Sequence, residues 1–146
     1  MIIIGLVMIS SPGIAPVCDG DQLKLTCSIT GNQVEWSVFG IPEGEMTARR
    51  YGRGLLNNGI NQAPVDLMVN SVLFTFSRVS PPNTLPLITK LVTSTANNLT
   101  SIDETEVICQ DTMTHNSSAT IVNVIRETGA FSCMYTLALI LKFGDG

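Results

Sequence analysis

The chain carries one histidine, His115, and four cysteines. A nucleophilic triad or a zinc centre normally draws on histidine, and His115 falls in a turn spanning Met113 to Ser118, where it reads as an exposed loop residue. The carboxylates Glu43, Glu45, Asp66, Asp103, Glu104, Glu106 and Asp111 are spread over turns, and no two stand apart as a glycosidase acid and base. Gly52-Arg53-Gly54 offers glycines without the spacing or the following helix of a phosphate cradle. Asp19 and Asp21 are too few for calcium, which takes about six to eight oxygens. The expectation is therefore no enzyme: no catalytic residue, no metal and no cofactor.

The cysteines carry a different chemistry. None of Cys18, Cys27, Cys109 and Cys133 sits in a C-x-x-C pair, which removes the usual signature of zinc ribbons and dithiol redox sites. In a 146-residue chain they suit two disulfides and an oxidising compartment. Asn98-Leu99-Thr100 and Asn116-Ser117-Ser118 are N-glycosylation acceptors in expected turns and point to the same place, extracellular or at the cell surface. A net charge of -4 argues against nucleic acid, whose phosphates need clustered Lys and Arg. Against that acidic background Arg49, Arg50 and Arg53, with Tyr51, stand out. They read either as a contact patch for an acidic partner or as a charged edge that discourages strand addition.

The elements that must position these residues are β-strands. Apolar and polar residues alternate in Leu23-Lys24-Leu25-Thr26-Cys27-Ser28-Ile29, and again through Val34, Trp36 and Val38 after the Gly31-Asn32 turn. Gly40 to Ala63, rich in glycine, reads as short edge strands joined by loops. Val69 to Val79, with Phe74 and Phe76 on one face, is a further strand closed by Pro81-Pro82-Asn83. In Leu85 to Thr95 the faces bearing Leu87/Leu91 and Ile88/Val92 compete. Thr105 to Gln110 and Ala119 to Ile125 are the last two strands. The domain is set at residues 14–126. Residues 1–13 read as a signal peptide or as a hydrophobic lead-in, either a short hydrophobic first strand or the stump of a longer gene product. Residues 127–146 form a hydrophobic tail that reads either as the start of a truncated membrane span or as a segment outside the sandwich, since crossing a bilayer takes about 20 apolar residues.

Cys27 on an early strand, Trp36 on the next and Cys109 on the penultimate strand resemble the immunoglobulin superfamily. Asp103, Thr105 and Val107, at alternate positions before Cys109, look like that family's Asp-x-(Ala/Gly/Thr)-x-Tyr-x-Cys stretch with its tyrosine replaced. The resemblance covers roughly Pro16 to Ile125. It implies an all-β, immunoglobulin-like Greek-key sandwich of two antiparallel sheets, variable-type, with extra strands between Phe39 and Asn70. Cys18 to Leu23 also looks like Ig-like domains of invertebrate surface receptors.

The same resemblance implies a Cys27–Cys109 bridge with Trp36 packed on it and Leu25 and Val107 in the core. Such a bridge closes a loop of about 82 residues, for which chain entropy gives roughly 4 to 5 kcal/mol. It implies an Asp103 partner at the base, for which Arg78 is the candidate. Val107 supplies no hydroxyl, so the corner must be held otherwise. Cys18 and Cys133 either pair with each other or Cys18 bridges elsewhere. The functional expectation is a protein-binding module of an adhesion or receptor protein, homophilic contact included, whose membrane contact runs only through a tether outside the domain. Its face would present Glu35, Ser37, Ile108, Gln110, Ile121 and Asn123. The alternative is a structural spacer with no ligand of its own.

Overall fold

The computed structural model describes residues 6–59, 61–95, 99–126 and Cys133. The strands among them are β1 (Val7–Ile9), β2 (Gly13–Cys18), β3 (Lys24–Ile29), β4 (Gln33–Gly40) and β5 (Arg49–Asn57), followed by β6 (Val65–Val69), β7 (Val72–Arg78), β8 (Leu87–Thr93), β9 (Glu106–Asp111) and β10 (Ser117–Ile125). A 3-10 helix, Leu99–Ile102, precedes β9. One five-stranded sheet runs β1-β3-β8-β7-β6 and the other β2-β10-β9-β4-β5. Successive strands such as β3 and β4, or β8 and β9, lie in opposite sheets, so the chain builds the immunoglobulin-like Greek-key sandwich expected from its sequence.

The alternating pattern decides what is buried, because successive side chains on a strand point to opposite faces. Leu25, Cys27 and Ile29 on β3 meet Val34, Trp36 and Val38 on β4, with Phe74 and Phe76 from β7 and Val107 and Cys109 from β9. The competition within β8 is settled in favour of Leu87 and Leu91, which carry Thr89 and Thr93 inward with them. Two buried hydroxyls are tolerable there because each is used. Thr89 Oγ1 accepts the Trp36 indole N–H at 2.9 Å, and Thr93 Oγ1 accepts the Leu23 backbone N–H at 2.8 Å.

Three features depart from the expectation. First, the sheets are not wholly antiparallel: β2 runs parallel to β10, pairing Ile14 with Ile121 and Cys18 with Ile125. Left-handed φ at Ser11 (59°) and Gly13 (86°) breaks the chain after β1 and carries it to the opposite sheet. Val7–Ile9 of the apolar lead-in thus form β1 against β3, with Ile9 in the core. Second, the glycine-rich stretch holds one long strand, β5, instead of only short ones. A Cβ on Gly52 would strike Leu67, and one on Gly54 would strike Phe76, so these glycines let the opposite sheet close onto β5. Third, Val69 to Val79 is not one strand: Val69 ends β6, which folds back to pair with β7. A two-residue turn, Asn70-Ser71, with φ of 46° and 71°, has the left-handed pair that tight hairpins require. Ser101 pins that turn by donating its hydroxyl to Asn70 O at 2.9 Å while its own carbonyl accepts Asn70 Nδ2 at 3.0 Å.

Candidate protein-binding face

The outward side of the β2-β10-β9-β4-β5 sheet is a small lattice fixed by strand register. Across one row stand Ile14, Ile121, Glu106, Phe39 and Arg50. The next row holds Ala119, Ile108, Ser37 and Arg53, and the third Ser117, Gln110, Glu35 and Leu55. Ile14 and Ile121 are exposed at 58% and 45%, while Ile108 is half-buried between its neighbours. The face therefore runs from an apolar margin on β2 and β10 to a basic margin on β5.

The basic margin is organised by one carboxylate. Glu35 faces Arg53 at 3.3 Å and Arg50 at 3.8 Å, and Ser37 Oγ donates to it at 3.3 Å. One carboxylate balances one guanidinium, so the pair keeps a surplus positive charge with both arginines about half exposed. Arg49 turns away to Glu45, whose hydrogen bond and charge raise the guanidinium further above its ordinary value.

The structure redistributes several of the expected site residues. Tyr51 leaves the arginine row. The register shifts at Val38/Phe39, and Tyr51 packs against the core with its ring over Gly40. Ser37 does point outward by alternation, yet it is buried, because it sits on a central strand beneath Arg53 and Glu35. Gln110 spends its amide on the His115 carbonyl at 3.2 Å. Asn123 is exposed beside Pro16, at the margin of the same face.

Asp103 and Arg78 do not pair. Asp103 Oδ1 accepts the Val124 backbone N–H at 2.8 Å, near the end of the sandwich where β7 begins. Arg78 ends β7 at the opposite side of the molecule, donating to Asn57 O at 3.1 Å and Asn58 O at 3.0 Å. The length of β7 separates the two groups. The corner that Val107 cannot tie is tied by Thr105, whose buried hydroxyl donates to the Ile102 carbonyl at 2.7 Å.

Both sulfur bridges are present. Cys27–Cys109 links the sheets with Cα atoms 6.5 Å apart, and Trp36 lies opposite Cys109 in register while stacking on Phe76 at 5.8 Å. Cys18–Cys133 has Cα atoms 5.7 Å apart, which fixes the end of β2 to a residue of the tail. Asn116 is exposed in the turn between β9 and β10. Asn98 lies outside the described residues, as does the rest of the tail.

Asp111 is not a turn carboxylate. It ends the inward row of Val107 and Cys109, is 1% exposed, and accepts the Met113 N–H at 2.9 Å. Its other oxygen has no hydrogen-bond partner among the described residues, and a Cβ at Gly31 would collide with it. Period-two alternation through Val107 and Cys109 places Asp111 inside. His115 stays exposed on a left-handed backbone (φ 62°). At the far end of the sandwich Glu43, Tyr51, Asn70, Ser101 and Glu104 line a cleft of about 630 Å3. No cluster of three metal-ligating side chains occurs among the described residues, and no helix among them is long and apolar enough to cross a membrane.

Compared with known proteins, the sequence matches no family model and no curated protein. The fold and this face are thus the ground for a functional reading.

Proposed function

We propose that this chain is an extracellular protein-binding module of the immunoglobulin superfamily, used in adhesion or receptor recognition. Its docking surface is the outward β2-β10-β9-β4-β5 sheet. The single observation that carries the reading is the exposed, side-by-side pair Ile14 and Ile121 at one margin of the sheet, with Ile108 beside it and Arg50 and Arg53 at the other margin. Exposed apolar side chains placed together, with arginine nearby, suit a protein interface.

Two disulfides in a small β domain suit an oxidising compartment. In that compartment Asn116, exposed in its turn, would carry an N-linked glycan, as would Asn98. The Asn116 side chain is not part of the lattice of the face, although its neighbour Ser117 ends the third row.

The test is staining of a panel of cells with a tetrameric form of the secreted domain. A binding module stains some cells, and Ile121→Lys or Ile108→Lys abolishes the signal while thermal unfolding stays two-state. A spacer stains none, and staining indifferent to both substitutions would remove the face from consideration.

A further inference from the structure

The charge layout of the face selects between a second copy of the chain and a different protein. We infer that the partner is a different protein, one that sets carboxylates over Arg50 and Arg53 and apolar side chains over Ile14 and Ile121. This rests on the binding-module reading above and narrows it.

The argument is one of symmetry. A dimer of identical chains uses the same patch twice, related by a two-fold axis. Two sheets meeting face to face keep their strands roughly aligned, which leaves two directions for an axis lying between them. An axis along the strands reverses the order across the sheet. It sets Arg50 over Ile14 and Glu106 over its own copy. An axis across the strands keeps the order and reverses the rows about the middle one. It sets Arg53 over its own copy and Phe39 over Glu35. With the axis over the middle strand or the middle row, neither direction gives either arginine a carboxylate, and each brings like charges together. Moving the first axis over β4 would set Glu106 over Arg50, but it stacks Glu35 on its own copy and leaves Ile14 and Ile121 outside the contact, so no placement serves both margins of the face. Glu35 is already committed to its own arginines and cannot serve the other chain without releasing them.

A partner with acidic residues opposite β5 meets none of these conflicts. Its carboxylates would take the outward N–H groups of two guanidinium groups that Glu35 already holds in place, so little side-chain freedom is lost on contact. The apolar margin supplies contact area, and the basic margin supplies orientation and a salt-dependent rate of encounter.

The experiment uses the full secreted chain. Sedimentation velocity up to about 100 μM, in the range where weak self-association through a small interface shows, is expected to find a monomer. Amide chemical shifts are then followed while adding a peptide of alternating Glu and Leu, and separately its Lys and Leu counterpart. The acidic peptide is expected to move the amides of Arg50, Arg53, Ile108 and Ile121, with affinity falling about tenfold between low and physiological salt. Arg53→Gln should weaken it, and Arg50→Glu should weaken it more. The basic peptide should leave these amides in place.

A dimer formed through this face would overturn the inference while leaving the binding-module reading intact. Equal response to both peptides, or no response of the four amides, would overturn the charge argument. A monomer that also stains no cell would sink the binding-module reading itself. Should Arg50→Glu fail to fold, Arg53→Gln and the salt series decide alone.

Discussion

Trp36 and Thr89 give the sharpest test of how this core tolerates polar atoms. Both side chains are fully buried, and the indole N–H donates to Thr89 Oγ1 across the two sheets at 2.9 Å. Thr89→Val keeps the shape and exchanges the hydroxyl for a methyl, so no cavity opens and the backbone is undisturbed. What changes is that the indole N–H loses its acceptor in a fully buried site. Leaving a buried donor unsatisfied costs about 1 to 3 kcal/mol. For a domain of this size each kcal/mol moves the melting temperature by roughly 4 °C, so a drop of about 4 to 12 °C is expected. Thr89→Ser is the control: it keeps the acceptor and loses one methyl, at about 1 kcal/mol. The assay is two-state thermal unfolding of both variants together with hydrogen exchange of the single indole N–H. If Thr89→Val unfolds within about 0.5 kcal/mol of the parent, below the range for an orphaned donor, and its indole exchanges no faster, the reasoning about this bond is wrong.

Other perturbations have equally definite outcomes. Thr105→Val removes the hydroxyl that ties the corner before β9, and should cost about 1 to 2 kcal/mol in urea unfolding. An unchanged midpoint would show that the corner is held by the backbone alone. Gly54→Val places side-chain atoms against Phe76 and Val65, and overpacking there should cost at least about 1 to 3 kcal/mol. Gly44→Ala, where nothing lies within 4 Å, should show only the smaller strain of its left-handed backbone. Replacing Cys18 and Cys133 by serine should lower stability by about 2 to 5 kcal/mol, since the bridge closes a long loop. Replacing Cys27 and Cys109 by serine should cost more. The loop term is similar, but the two hydroxyls would then sit within the central hydrophobic cluster, to which Cys18 and Cys133, though buried, do not belong.

Much of the sandwich was legible because one face of each strand is buried and the other is not. Leu25, Cys27 and Ile29, or Val34, Trp36 and Val38, announce their inward row by alternation alone. Where both faces are apolar the rule loses its hold, as in β8. There the choice was made by two threonines that find hydrogen-bond partners inside. The sheet to which β6 belongs was not legible, because it depends on Gly52 and Gly54 admitting Leu67 and Phe76 from a distant part of the chain. The basic margin was visible as a run of arginines, but its geometry was not. A single extra residue at a bulge sends Tyr51 inward, and Glu35 gathers two arginines from the neighbouring strand. Asp103 misled because resemblance supplied an arginine without supplying its position. Arg78 stands at the wrong end of β7.

The bond from Cys18 to Cys133 has a mechanical meaning. Ile125, the last residue of β10, pairs with Cys18, so the chain leaves the sheet at the point where the sulfur bridge returns to it. A pull applied beyond Cys133 reaches the body through Cys18 as well as through the peptide chain. Tension is then shared by two parallel neighbours held at the same end, so β10 cannot be drawn from the sheet without β2. Without the bridge the same pull would load β10 alone.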